Sequence, residues 1–414
     1  MSNSEITADI VIVGAGMVGL SLALSLSGSG LDIILLDAAS PPQELSSLQP
    51  RAAGQFSPRV SAITHASRQL LQDLGAWQDI QALGPCAYTR MCVWDADGTD
   101  RIAFDARDIH VESLGNIVEN NMIASSLHEQ ATTVTGLRLL YNNAITQLQL
   151  DEDRSSATGA KLLLESGQSI QTPLVIGTDG ANSMIRQLAG FQVREWDYEH
   201  TAIVTTVETE KAHQFTAWQR FMPDGPLAFL PLRKPGSSAP EQHFCSIVWS
   251  CKPDRAGEVL ALDDAGFRVA LGSAFEHTLG DIVSTDPRVS FPLRQRHSLD
   301  YVKDHVVLAG DAAHTIHPLA GQGVNLGFSD VMALSACILH ALEADKPYYS
   351  AQTLSRYQRQ RKGPNLGMMA VMEGFKQLFG SNDLTLRWLR NRGLAITDNL
   401  PMVKQALMQK AMGL

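Results

Sequence analysis

Cysteine is scarce in this sequence and never closely spaced. Cys86, Cys92, Cys245, Cys251 and Cys337 are odd in number and contain no CxxC pair, which excludes a clustered metal or redox site and leaves free thiols that mostly pack. No run approaches the roughly 20 consecutive apolar residues that a membrane-spanning helix needs. The segment Met1 to Ile10 has acids and no basic stretch of the kind that opens a leader peptide. The expectation is a soluble, cytoplasmic protein. A basic excess is missing too: a formal net charge of −10 argues against nucleic acid as a partner, because phosphate neutralisation calls for the opposite sign. Internal repeats and long low-complexity tracts are also lacking. With 44% hydrophobic residues in 414, the chain can bury a large core, and two or three intertwined regions are expected rather than disorder.

What is present is unevenly spread. From Ala351 to Leu414 ten Lys or Arg face Glu373, Asp383 and Asp398, so this segment carries +7 and the rest of the chain −17. Met368, Met369, Met372, Phe375, Leu378 and Phe379 recur there at helical spacing, followed by Arg387, Arg390, Arg392, Lys404 and Lys410. Packing on the protein's own core is one reading of this set. Contact with the inner-membrane surface or with a partner in a biosynthetic complex is the other.

Ile10 to Val13 is a short β-branched run ending in glycines, Val18 to Ser27 is rich in Leu and Ala, and Ile33 to Leu36 is a second apolar run stopping at Asp37. That order predicts a strand, a helix and a parallel strand within about thirty residues. Leu174 to Ile176 and Val306 to Ala309 end in Gly/Asp clusters and resemble further strands of the same sheet. Thr201 to Val207, Leu227 to Leu232 and Phe244 to Trp249 are strand candidates of a mainly antiparallel sheet, with a turn at Pro223-Asp224-Gly225-Pro226. The expected class is α/β, with a Rossmann-type cofactor region (1–80, 100–190 and 290–345) interwoven with a substrate region (81–99 and 191–289) and followed by a C-terminal helical segment (346–414).

Three clusters carry chemistry. Gly14, Gly16 and Gly19 form a GxGxxG between strand and helix: a tight turn, a close approach to a pyrophosphate, and close helix packing. Helix amides then face the phosphates, and Asp37, eighteen residues beyond Gly19, is placed to accept from a ribose. An acid there favours FAD or NAD over NADP. The second cluster is Gly177-Thr178-Asp179-Gly180-Ala181-Asn182-Ser183 with Arg186. As local structure it is a strand, a turn and a helix capped by Asn182 or Ser183, and on the residues alone a functional role and a structural one stay equally open. The third is Gly310-Asp311-Ala312-Ala313-His314, then Pro318, and Gly321-Gln322-Gly323-Val324-Asn325. Small residues there admit a ligand to the backbone, Asp311 can accept from a polyol, and Gly323 opens a helix. A glycine-rich loop closing a helix pair is the plain alternative. His314 and His317 lack a carboxylate or cysteine to complete a metal set, so they are expected as hydrogen-bonded structural histidines and no metal is assigned.

Together the three clusters resemble the fingerprint of the aromatic-ring hydroxylases with one Rossmann domain: GxGxxG, then GxDGxxSxxR, then GDAAHxxxPxxGQGxN. Within that family the chain is similar to the ubiquinone-biosynthesis hydroxylases through Arg59-Val60-Ser61-Ala62-Ile63, Gly115-Asn116-Ile117-Val118-Glu119-Asn120, Pro223 to Pro226 with Ala228 to Leu232, and the ending Ala411-Met412-Gly413-Leu414. Val93-Trp94-Asp95 and Cys245 to Ser250 resemble the branch that hydroxylates C5 of a polyprenylphenol. The resemblance implies that Gly14, Gly16 and Gly19 hold the FAD pyrophosphate, Asp37 the ribose and Asp311 the ribityl chain. It implies that Arg59 and Asp179 also serve the cofactor, and that Pro318, Gly321, Gly323, Val324 and Asn325 lie beside the isoalloxazine. Where many relatives have Arg or Gln near the cofactor this chain has Asn120, and no contact is assigned to it.

The implied activity is an FAD-dependent monooxygenase acting on a polyprenylated phenol and O₂. NAD(P)H or another reductant would supply electrons, and no second GxGxxG in a strand and helix setting provides a separate nicotinamide site. Oxygen transfer of this kind needs no covalent protein nucleophile, so no catalytic residue is named. Three rivals remain: another ring position in the same pathway; a different flavin oxidase or a halogenase, against which the mid-chain Asp-Gly motif argues in the case of the oxidases; and a non-catalytic FAD-binding assembly subunit. An apolar pocket walled by Phe229 to Leu232 and Phe244 to Trp249 is expected for the substrate.

Overall fold

The computed structural model describes residues 5–48, 56–96, 101–151, 158–234, 243–315 and 323–380, with the side chains of 372 and 375–380 left out. Pro318, Gly321, Gln322, His317 and the basic tail from Arg387 onward therefore lie outside the described residues. Among those described, short apolar runs from both halves of the chain assemble a six-stranded sheet. Its order is Val302–Lys303, Val306–Leu308, Leu174–Gly177, Ile10–Val13, Ile33–Leu36, Leu137–Leu140. Every pairing is parallel except the first. Continuous burial of Ile10–Val13, Ile33–Leu36 and Leu174–Gly177 explains why these strands are apolar on both faces. The helix Met17–Leu26 follows the first of them and is one residue offset from the expected start. Chain order reverses between Ile10–Val13 and Leu174–Gly177, so the crevice at their carboxyl ends is a topological switch point, where open α/β sheets take ligands.

The second large element is a nine-stranded sheet built on Val193–Thr209, Gly225–Pro231, Phe244–Cys251 and Val289–Ser298, which pair antiparallel. One parallel pairing interrupts the pattern, Thr216–Met222 with Arg90–Asp95. Strand alternation sorts its side chains to two faces. Phe229, Cys245, Ile247 and Trp249 point to an outer core closed by Val259 of the helix Pro253–Ala261 and by Phe267 and Leu271 of the helix Asp264–Ala274. There Phe229 stacks on Phe275 at 3.7 Å. Ala228, Leu230, Leu232, Phe244 and Val248 point the other way, toward Ala62, Cys86 and Ile117. Those three belong to a small sheet of Val60–Ile63, Gly115–Glu119 and Cys86–Tyr88. Half of the wall expected from the sequence is thus the core of the outer layer. A continuous apolar run in a two-sided sheet cannot declare which residue faces which side.

The helix Gly323–Glu343 closes the main core. Its 21 residues are long and apolar enough by composition to cross a bilayer. Here it lies in the main core, with Phe328, Val331, Leu334 and Ile338 fully buried, and it packs against Met17–Leu26 and Ala351–Gly380. The 30-residue helix Ala351–Gly380 is seated by Tyr357, whose hydroxyl donates to the carbonyl of Leu308 at 2.9 Å. Met369 is buried on it, while Leu366 and Val371 are exposed. All five cysteines are buried, and none forms a disulfide.

Candidate cofactor site

The three sequence clusters, spread between Gly14 and Asn325, meet around the first turn of the helix Met17–Leu26. Gly14 has φ +104°, and a methyl group on it would lie 2.6 Å from the carbonyl oxygen of Thr178 and 2.7 Å from Cα of Asp179. Gly19 is tighter still, since a methyl group there would sit 1.8 Å from the carbonyl oxygen of Gly14. Gly16 differs: nothing lies within 4 Å of the position its methyl would take. Two glycines admit backbone to backbone, and the third leaves open space above the helix start. Thr178 clamps the junction, its Oγ1 donating to the carbonyls of Val13 at 2.9 Å and Gly14 at 2.8 Å. The third cluster arrives through Gly310 (φ +61°) and Gly327, whose added methyls would meet the side chain of Val18 at 3.1 and 2.6 Å.

No side chain caps the helix Met17–Leu26, so its first-turn amides face the open space above Gly16 with the positive end of the helix dipole behind them. Asp37 stands beside this turn. Its Oδ2 accepts from the amide of Ala15 at 2.6 Å and its Oδ1 from the amide of Ala39 at 2.8 Å. An ionised carboxylate has about four lone-pair sites, so two backbone donors leave capacity for ribose hydroxyls. Asp179 is less fully used: Oδ2 accepts from the amide of Ile185 at 3.0 Å, and the buried Oδ1 has no partner. A buried acceptor without a donor costs about 1–3 kcal/mol, which a ligand hydroxyl would recover.

Arg186 joins the second cluster to the third. It is buried, with Nη2 donating to the carbonyl of Ala181 at 2.7 Å and Nη1 to that of Ala312 at 2.8 Å. Ser183 caps its helix by accepting from the amide of Arg186 at 2.9 Å. Asp311, next to Gly310, is exposed to solvent yet hemmed in by protein, and this crowding pushes its carboxyl above the usual range against the opposing pull of His314 and Arg59. Arg59 also lies over the ring of Phe291, 5.9 Å from its centroid. Asn325 ties the third cluster to the strand after Arg59: its Nδ2 donates to the carbonyl of Ala62 at 2.8 Å, and its Oδ1 accepts from the amide of Thr64 at 3.1 Å. Gly323 opens the helix that carries Asn325, and Val324 packs at the edge of the main core. Asn120 is occupied by the protein itself, accepting from the hydroxyl of Ser61 at 2.7 Å.

His314 is a hydrogen-bonded histidine, with Nε2 2.5 Å from Oδ2 of Asp330. Among the described residues no cluster of His, Cys, Asp or Glu has the form of a metal site. Sequence reasoning named Thr178 within its cluster without giving it a role, and passed over Asp330. Asp330 carried a signal: a single acid among Phe328, Val331 and Leu334 on an apolar helical stripe needs partners, because a buried charge is retained only when paired.

Comparison with known proteins gives the assembly its context. The sequence model of a family described as "FAD binding domain" matches residues 7–365. The chain is 36% identical to the 3-demethoxyubiquinol 3-hydroxylase of Escherichia coli (strain K12), over 98% of both chains. It is 34% identical to the mitochondrial ubiquinone biosynthesis monooxygenase COQ6 of Xenopus tropicalis, over 97% of this chain and 92% of that one. Among solved structures, p-nitrophenol 4-monooxygenase PnpA from Pseudomonas putida DLL-E4 superposes with a TM-score of 0.77 at 17% identity, covering 99% of this chain and 98% of its own, and so shares the fold.

Proposed function

The chain belongs to the family of FAD-dependent ubiquinone-biosynthesis hydroxylases, and from that premise we propose that it puts a hydroxyl group on the aromatic ring of a polyprenylated phenol. The observation that carries this reading is the convergence of all three clusters on one helix start, with the third tied through Asn325 to Ala62, which packs with the inner apolar face of the large sheet. FAD fits the residues present: uncapped amides and the space over Gly16 for the pyrophosphate, Asp37 for the ribose, and the unpartnered Oδ1 of Asp179 for a further hydroxyl. Asp311 would take the ribityl chain and Arg59 would also contact FAD, with Pro318, Gly321, Gly323, Val324 and Asn325 toward the isoalloxazine.

When bound, FAD supplies the two-electron chemistry that activates O₂. One oxygen atom enters the ring and the other leaves as water, with two electrons and one proton drawn from NAD(P)H or another reductant and the second proton from solvent. The chain's own part is to bind, orient and exclude water. Leu230, Leu232, Phe244 and Val248 make the interior on this side of the sheet apolar, and beside it a prenylated ring would be held better than free phenol. Burial of that surface keeps water from diverting oxygen into peroxide.

The C5 carbon is the preferred position, supported by the likeness of Val93-Trp94-Asp95 and Cys245 to Ser250 to the C5 branch. A second position has its own support in the Escherichia coli relative, whose name places the hydroxyl at C3 of a demethoxyubiquinol. Labelling with ¹⁸O₂ in the presence of a reductant tests both. One labelled atom on the ring of a polyprenylphenol supports the reaction, and its carbon, read by mass spectrometry and NMR, chooses between the positions. Label arriving from water, or peroxide formed without oxygenated product, sinks the hydroxylase reading.

A further inference from the structure

Asp330 is fully buried on the helix Gly323–Glu343, and four donors converge on its carboxylate. Oδ2 accepts from the amide of Gly310 at 3.0 Å and from Nε2 of His314 at 2.5 Å. Oδ1 accepts from Nε of Arg361 at 2.7 Å and from Nδ2 of Asn365 at 3.3 Å. The first pair belongs to the loop that carries Asp311; the second belongs to the helix Ala351–Gly380. Arg361 also donates from Nη2 to Oδ1 of Asn365 at 2.8 Å, and Nδ2 of Asn365 reaches the hydroxyl of Tyr301 at 3.2 Å. That hydroxyl lies 3.1 Å from Nε2 of His297, which closes a buried polar network beneath the cofactor loop.

We propose that Asp330 is a positioning residue for the cofactor site and that Arg361 acts through it, so that the docked C-terminal helix sets the geometry of the Gly310 to His314 loop. The proposal rests on the FAD reading of the site. A carboxylate has about four lone-pair sites, and all four are used here, so the Gly310 amide and the His314 ring are fixed in direction as well as in distance. Gly310 is at the same time the residue that leans on Val18 in the pyrophosphate turn, and Asp311 follows it directly. A small rotation of the Asp330 carboxyl therefore moves the loop at both ends of the expected cofactor. Burial works against the charge on Asp330, yet His314 and Arg361 together hold its carboxyl below the ordinary range, so the hub is an anion when the cofactor binds. Apolar residues of similar volume often replace a buried ion pair without loss of stability. What they cannot supply is a directional acceptor for an amide and an imidazole at once.

The test uses the FAD-loaded enzyme and reads FAD dissociation and the visible flavin spectrum in Asp330→Asn, Arg361→Gln and Arg361→Lys, with circular dichroism and thermal unfolding at saturating FAD as fold controls. Asp330→Asn is expected to weaken FAD binding by about tenfold or more and to shift the flavin absorption bands. Arg361→Gln, which reaches the Gly310 to His314 loop through Asp330, is expected to change both readouts in the same direction by a smaller factor, and Arg361→Lys to recover part of the loss. If the variants fold and melt earlier but keep FAD affinity within about twofold and an unchanged spectrum, Asp330 is a stability element only and the proposal falls. Should Asp330→Asn not fold, the two Arg361 variants decide by the same readouts. A wild-type protein that takes up no FAD would instead remove the FAD reading itself, a result separable from the others.

Discussion

The first turn of the helix Met17–Leu26 and the carboxylate of Asp330 lie on either side of Gly310, and they handle polar groups in opposite ways. At the helix start, amides are left without acceptors and Gly16 keeps the space above them empty. At Asp330 every acceptor position is filled by the protein. Unsatisfied groups beside open space are where a ligand gains free energy; satisfied groups in a closed interior hold a shape and gain nothing from a ligand. The contrast separates residues that bind from residues that place the binders.

The largest expected effect breaks the hub. Asp330→Ala leaves the half-buried Arg361 guanidinium and the buried His314 without their counter-charge, and loss of one partner of a buried pair costs about 3–5 kcal/mol. Chemical denaturation of the wild type and variant measures this, and a loss under about 1 kcal/mol would mean that water replaces the carboxylate freely. The two faces of the large sheet offer a comparable contrast. Phe229→Ala, on the outer face, should cost about 3–5 kcal/mol of stability with little change in KM. Ala228→Leu, on the inner face, should raise KM for the prenylated phenol, at an overpacking cost of about 1–3 kcal/mol. Reversal of that pattern would exchange the roles given to the two faces.

A smaller effect sharpens the binding side. Gly16→Ala has room for its methyl in the protein but not once a pyrophosphate lies above it, so the melting temperature of flavin-stripped protein should stay within about 1–2 °C while FAD affinity drops by about tenfold or more. Gly19→Ala, with its methyl driven into the carbonyl of Gly14, should instead unfold the turn. Asp37→Ala should weaken FAD by roughly tenfold to a hundredfold, the loss of about 1.5–3 kcal/mol from hydrogen bonds to a charged group.

The smallest effect is a pH dependence. Crowding raises the Asp311 carboxyl, opposed by His314 and Arg59 and assisted by Asp330. Its contribution to the stability of the flavin-free fold is therefore full below the ordinary carboxylate range and is lost as pH rises through the raised value. Acceptance from ribityl hydroxyls favours the ionised form, so FAD affinity should climb over the same interval, and Asp311→Asn should flatten the climb. Titration of FAD binding against pH in both proteins checks it; identical profiles would assign the dependence to another group.

By itself the sequence determined the nucleotide-binding half closely. Ile10–Val13 and Ile33–Leu36 fall where their apolar runs end, because a strand buried on both faces must be apolar throughout and must stop at its glycine or acid. Gly14, Gly19 and Asp37 were legible for the same local reason: a positive φ, a close backbone approach and an acid at a strand end are written in neighbouring residues. Tertiary structure alone decided which residues of Gly225–Pro231 and Phe244–Cys251 face inward, since apolar layers on both sides erase the period-two pattern. It alone turned the apolar helix Gly323–Glu343 into a core helix. It also brought Asp330 to Gly310, His314, Arg361 and Asn365, because partners 16 to 35 residues away are chosen by packing and not by spacing along the chain.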